Sequence, residues 1–205
     1  MDLLAWVSLA GICALGAMSP GPSLLIVLRS ATSGVRQGLA CAVAHGAGIA
    51  VYAGLTAFGL AVLITRSPLL FSALQWAGAA MLIYLGWQAL RAPAPNADTA
   101  KVPAPQQTVG RAALQGFGVA FLNPKVAVFF TALFSQFVNE QQLLSTKLGM
   151  AALAAGIDSG WYCIVALAIR AGRNRSWISN RAGHRLQQVF GLLLLGLAAR
   201  LLLTI

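Results

Sequence analysis

Asp158, Lys125 and His45 stand inside long apolar stretches, where a charge or a titratable ring is expensive. A carboxylate at the centre of a membrane helix costs about 2.5 to 3.5 kcal/mol on insertion scales, so it is a functional candidate by default. Asp158 lies in Gly156-Ile157-Asp158-Ser159-Gly160 and is suited to accept a proton or to hold an ammonium group. Its plainer role is a structural ion pair, or a hydrogen bond to Lys125 or Tyr162. His45, in Ala44-His45-Gly46-Ala47-Gly48, offers an imidazole able to relay protons, against the role of a hydrogen-bonded packing residue. Lys125 offers a cation to a carboxylate unless its side chain snorkels to the cytoplasmic face.

Two proline motifs must position these groups. Met18-Ser19-Pro20-Gly21-Pro22-Ser23 and Asn123-Pro124-Lys125 both interrupt apolar runs long enough to cross a bilayer. Each proline lacks a backbone N–H and collides with the carbonyl four residues earlier, here Gly16, Met18 and Ala120. Broken backbone survives in hydrocarbon only where it is buried in protein or lines a watery cavity. Each break therefore starts a half-helix, one near Ser23 and one near Lys125, whose first N–H groups lack partners and carry about half a positive charge. If the two starts converge, they hold a carboxylate, and the displaced carbonyls take an ammonium. The expected substrate-binding residues are thus Pro20, Gly21, Pro22, Ser23, Asn123, Pro124, Lys125 and Asp158, with Asp158 and His45 coupling protons. Asn123 is placed to cap or bridge the second break, and Ser135 and Gln136 lie where they would line a path. Gly46, Gly48, Gly156 and Gly160 recur at the spacing that lets helices pack closely.

The composition fixes the class. With 59% hydrophobic and 9% charged residues in 205, the chain reads as an all-α integral membrane protein. The net charge of +10 forms no stripe with interleaved aromatics, so no nucleic-acid partner is expected. Six spans of about 20 residues fit, near 3–28, 38–63, 69–90, 113–137, 148–169 and 186–205. Arg29, Arg36, Arg91, Lys101, Arg111, Arg170, Arg173, Arg175, Arg181 and Arg185 fall on one side of them. Arg66, Lys147 and Arg200 fall on the other, beside Asp2 and Glu140. The positive-inside rule puts the first group in the cytoplasm and both termini outside. Trp87 and Trp177 suit interfacial anchors.

Residues 92–111, with Pro93, Pro95, Pro103 and Pro105, read as a cytoplasmic Ala/Pro-rich linker between three-helix repeats 1–91 and 112–205. A shift of 110 positions lays Gly46 on Gly156, Tyr52 on Tyr162 and Leu85-Gly86 on Leu195-Gly196. Three spans per half force opposite directions. Two inverted repeats with helices one and four broken at their prolines is a secondary-transporter architecture, with the site at the repeat interface.

Ser19-Pro20-Gly21-Pro22, Tyr84-Leu85-Gly86-Trp87 running to Arg91, and Asn123-Pro124-Lys125 followed by an aromatic-rich run through Gln136-Phe137 resemble the LysE/RhtB family of amino-acid exporters. The likeness spans essentially the whole chain. It implies a bacterial inner-membrane protein exporting amino acids or small derivatives, driven by the proton-motive force. Its motif positions carry over to Pro20, Gly21, Pro22, Gly48, Asn123, Pro124 and Lys125. The LysE branch often has an acidic residue in span two, where this chain has Gly46, Ala47 and Gly48, so a neutral substrate of the homoserine or threonine type is implied.

The expected partners are an amino acid or small amine, protons and the lipid bilayer, with no cofactor or metal and with homo-oligomerisation open. A transmembrane thiol-relay protein is the first alternative, but Cys13, Cys41 and Cys163 lie in apolar runs without CxxC or metal-ligand spacing. A passive small-solute pore is the second. Neither HExxH, a nucleophile elbow nor paired carboxylates point to an enzyme.

Overall fold

The computed structural model describes residues 1–19, 21–91, 107–139, 141–170 and 181–204. Pro20, residues 92–106 with Lys101, Glu140, residues 171–180 with Arg173, Arg175 and Trp177, and Ile205 lie outside the described residues. Among the described residues there are eight helices and no strand. They are α1 (Leu3–Met18), α2 (Pro22–Ser33), α3 (Val35–Arg66), α4 (Pro68–Arg91), α5 (Val109–Phe121), α6 (Pro124–Phe134), α7 (Leu144–Arg170) and α8 (Arg181–Thr204).

Val35–Leu60, Leu69–Arg91 and Leu144–Ile169 are each long and apolar enough to cross a membrane alone. The pairs α1–α2 and α5–α6 are bent by 61° and 53°, and counting each as one span raises the number to five. The apolar part of α8, Gln188–Leu203, is shorter. Both bends fall at the proline motifs.

Local chemistry explains the ends. Asp2 Oδ1 accepts from Ala5 N at 2.8 Å to start α1, and Thr108 Oγ1 accepts from Arg111 N at 3.3 Å to start α5. Gly34, with φ +154°, turns the chain from α2 into α3, a conformation that disfavours any side chain. Gln107 fastens the start of α5 to that turn, donating through Nε2 to Ser30 Oγ at 2.9 Å and accepting at its carbonyl from Gln37 Nε2 at 3.2 Å.

α3 runs between α5 and α7, while α4 lies on α8. These crossings are close because small residues stand at them. A Cβ on Gly46 would collide with Ser159, and one on Gly116 with the Cys41 carbonyl. On Gly48 it would sit 2.8 Å from the Ala120 Cβ, and on Gly86 2.9 Å from the Gly191 carbonyl oxygen. Gly156 and Gly160 correct the sequence expectation. They are exposed, with nothing within 4 Å of an added Cβ, and α7 instead meets Gly46 through Ala155 and Ser159. Residues two apart on a helix point about 200° apart, so turning Asp158 inward turns both glycines outward.

One hydrophobic cluster gathers Leu9, Phe129, Phe130, Leu133, Phe134 and Leu194, and a smaller one gathers Val27, Cys41, Tyr162 and Val165. The cavity described next has walls from both. Trp87 is half exposed, with the Arg91 guanidinium 4.3 Å from its ring centroid, a pairing suited to the membrane interface.

Candidate functional site

The first break ends α1 and starts α2 without help from a side chain. Ser19 N donates to the Leu15 carbonyl at 3.0 Å and the Gly16 carbonyl at 3.3 Å, which closes α1. The Gly16 carbonyl therefore already accepts one hydrogen bond, which leaves it a second lone pair. Gly21, extended at φ −175° and ψ −172°, precedes Pro22, the first residue of α2, and no side chain caps this helix start. Proline suits that position, since the N–H it lacks would have had no partner there.

The second break caps itself. Asn123 Oδ1 accepts from Lys125 N at 3.0 Å, and Pro124 occupies the first turn of α6. On the other side of the break the Leu122 N–H returns to the Gly118 carbonyl at 2.9 Å.

The two breaks meet. Lys125 Nζ, on α6, donates to Ser19 Oγ at 3.0 Å, and it stands 4.8 Å from the centroid of the Phe190 ring on α8. A Cβ on Gly21 would lie 3.8 Å from the same nitrogen. Lys125 therefore turns into the protein and does not snorkel. Among the described residues no carboxylate lies within ion-pair distance of it. A hydroxyl and a ring face compensate a desolvated ammonium only in part, which leaves it suited to an anion.

A second charged group faces the same space. His45 Nδ1, on α3, lies 2.6 Å from Asp158 Oδ2, on α7, and both residues are buried. The imidazole and the Tyr162 ring meet edge to face at a centroid distance of 5.0 Å. His45 Nε2 is buried without a hydrogen-bond partner. With Nδ1–H donating to the carboxylate, a neutral ring leaves Nε2 as a bare acceptor. The sequence singled out both residues but proposed Lys125 or Tyr162 as the partner of Asp158. The partner is His45.

Between these walls lies a cavity of about 60 Å³, room for a few waters. Ser19, Gly21, Pro22, Ser23, Asn123 and Lys125 line it from the breaks, and His45 and Asp158 line it from the crossing of α3 and α7. Phe129, Phe130, Tyr162 and Phe190 supply aromatic walls. The expected site residues that are described thus come together, with Pro124 at the start of α6 and Pro20 outside the described residues. The sequence missed the aromatic walls, for which alternation in an apolar run gives no signal. It also missed Cys13, which lines the cavity as a free thiol; Cys41 and Cys163 are likewise free and do not line it. Chemically the cavity carries both signs: a cation and a helix start without a side-chain cap share its lining with a carboxylate–imidazole pair.

A family model described as LysE type translocator matches residues 14–204. The threonine efflux protein of Escherichia coli K12 is 29% identical over 198 residues, covering 88% of this chain and 93% of that protein. The homoserine/homoserine lactone efflux protein of Salmonella typhimurium is 36% identical over 126 residues, 61% of this chain and 60% of that protein. An uncharacterized membrane protein of Pseudomonas aeruginosa is 38% identical over 128 residues, 58% of this chain and 57% of that protein. No solved structure matches. With the family model covering nearly its whole length, the chain belongs to the LysE type translocators.

Proposed function

We propose that the protein is a secondary exporter of small neutral amino acids of the threonine and homoserine type across the bacterial inner membrane, driven by the proton-motive force. The observation that carries this reading is one cavity lined both by Lys125 and the start of α2 and by the His45–Asp158 pair. A zwitterion is complementary to both walls. Its carboxylate takes Lys125 Nζ and the first N–H groups of α2, and its ammonium takes Asp158 and His45 Nε2. The relatives named for threonine and homoserine efflux fit a substrate with that head group and a short side chain.

Proton coupling follows from charge. A proton arriving from outside on the His45–Asp158 pair makes that wall more positive and expels the ammonium outward. Loss of the proton to the cytoplasm restores the wall and readmits substrate from inside. One half of the molecule rocks against the other between these states, as inverted-repeat transporters do.

In this reading there are six spans, α8 being the last, in inverted halves 1–91 and 112–205. The 92–111 linker is cytoplasmic and both termini are outside. The pairing of α3 with α7 and of α4 with α8 supports it, since each couples the elements that correspond between the halves. The test is to load cells with a threonine-containing dipeptide, with and without the protein, and to follow threonine on both sides of the membrane. Faster appearance outside, abolished by an uncoupler, is expected. Unchanged amino-acid profiles overturn the reading, and efflux indifferent to the uncoupler replaces it with a passive pore.

A further inference from the structure

The cavity between the breaks is layered. Lys125 on α6 bonds to Ser19 on α1, and His45 on α3 pairs with Asp158 on α7. About one helical turn from each of these four residues an apolar residue also lines the cavity: Phe129, Gly16, Ile49 and Ala154. All four shifts go the same way. α3 and α7 run antiparallel, since Gly38 packs on Ala166 and Gly46 on Ala155 and Ser159, so Ile49 beyond His45 and Ala154 before Asp158 fall on one side. On α1 and α6 the shift brings Gly16 against Phe129, where a Cβ on the glycine would lie 3.1 Å from the ring. Gly149 on α7 lies against Trp6 on α1, which turns both pairs toward the end of the molecule that carries the N-terminus.

The two layers differ in what they can bind. The first holds an ammonium, a carboxylate, an imidazole and a hydroxyl. The second is completed by Cys13 and Phe130. Among its described lining residues no side chain hydrogen-bonds except the Cys13 thiol, which is weak as donor and as acceptor. Its width is set by one ring. Phe129 packs on Gly16 and against Phe130 and Phe190, whose ring centroids stand 5.3 and 6.2 Å from its own. With about 60 Å³ in the whole cavity, little room remains beyond a head group.

We propose that the apolar layer is the side-chain subsite for the transported amino acid, and that it selects by size without reading a hydroxyl. Its substrates are α-amino acids with short aliphatic side chains, valine and α-aminobutyrate as well as threonine, and Gly16, Phe129 and Ala154 set the upper limit. The inference rests on the exporter reading and deepens it. With the head group between Lys125 and Asp158, the side chain points toward the N-terminal end. A hydroxyl entering there gives up its water for no side-chain partner. An apolar pocket neither rewards a hydroxyl nor strongly rejects it, so valine, the isostere of threonine, competes at least as well. A longer chain meets the Phe129 ring, which Gly16, Phe130 and Phe190 hold in place.

The test is counterflow of radiolabelled threonine and of radiolabelled valine in proteoliposomes of the full chain, with unlabelled threonine, valine, α-aminobutyrate and leucine as competitors. The wild-type protein is expected to carry both labels. Half-inhibition by valine and α-aminobutyrate should come at or below that of threonine, and by leucine about tenfold higher or more, the effect of one methylene too many. Phe129→Leu removes part of the limiting wall and should bring leucine to within about threefold of valine. Gly16→Ala presses a methyl on the Phe129 ring and should instead weaken valine relative to α-aminobutyrate. If Phe129→Leu fails to insert, Ala154→Gly carries the same expectation. Threonine preferred to valine by about tenfold or more, as in a site that hydrogen-bonds the hydroxyl, overturns the subsite. So does a valine-to-leucine ratio that the substitutions leave unmoved. A wild-type protein that carries neither label overturns the exporter reading itself.

Discussion

The two breaks differ in how they treat the helix they start. At Asn123-Pro124 the side chain of Asn123 caps α6, so that break is complete within the protein. At Gly21-Pro22 no side chain among the described residues caps α2, and Lys125 reaches across from the other break to Ser19. One break is finished and contributes a charge; the other is left open and contributes unpaired N–H groups. Helix starts in a membrane do not tolerate that state without a partner or water. Under the proposed exporter function, the difference makes α2 the place for the substrate's carboxylate and α6 the scaffold that holds Lys125 beside it.

Removing the charge should have the largest effect. Lys125→Met deletes the ammonium beside the open break, and loss of a charged hydrogen-bonding partner of about 2 to 4 kcal/mol corresponds to a fall of about thirtyfold to nearly a thousandfold in threonine efflux from loaded cells. Efflux at the wild-type rate would show that the open break does not hold the carboxylate. Asp158→Asn comes next. It keeps the shape of the opposite wall and a hydrogen bond to His45 but removes the proton acceptor. Proton-driven accumulation against a gradient should be lost while threonine–threonine exchange persists, and intact coupling would remove Asp158 from that role.

The remaining pair of substitutions exchanges the character of the breaks. Asn123→Ala opens the capped one and should cost about 1 kcal/mol of stability, read as a lower midpoint in thermal unfolding of the detergent-solubilised protein. Gly21→Ser closes the open one. Its backbone is extended and takes a side chain without strain, so stability should hold or rise by a few tenths of a kcal/mol. Threonine affinity should nevertheless fall several-fold, because the new hydroxyl occupies the N–H groups the carboxylate needs. A stabilised Gly21→Ser protein with unchanged affinity would erase the distinction between the breaks.

Much of this site was readable before any coordinates, because its first half is local. Proline geometry places the breaks, and Asn-Pro is a helix-start signal that needs no tertiary context, so α2 and α6 begin at Pro22 and Pro124, close to the residues expected. The link between His45 and Asp158 spans 113 positions, and no local rule selects it over Lys125 or Tyr162. The glycines at 156 and 160 misled for a related reason. Spacing states that a face is smooth, but which way that face turns depends on where Asp158 points.

The most direct test is a structure of the protein saturated with threonine in lipid nanodiscs. The carboxylate is expected within hydrogen-bond reach of Lys125 Nζ and the first N–H groups of α2, with the ammonium turned to Asp158. A bound threonine elsewhere, with the cavity between the two breaks empty at a concentration that saturates transport, would contradict it.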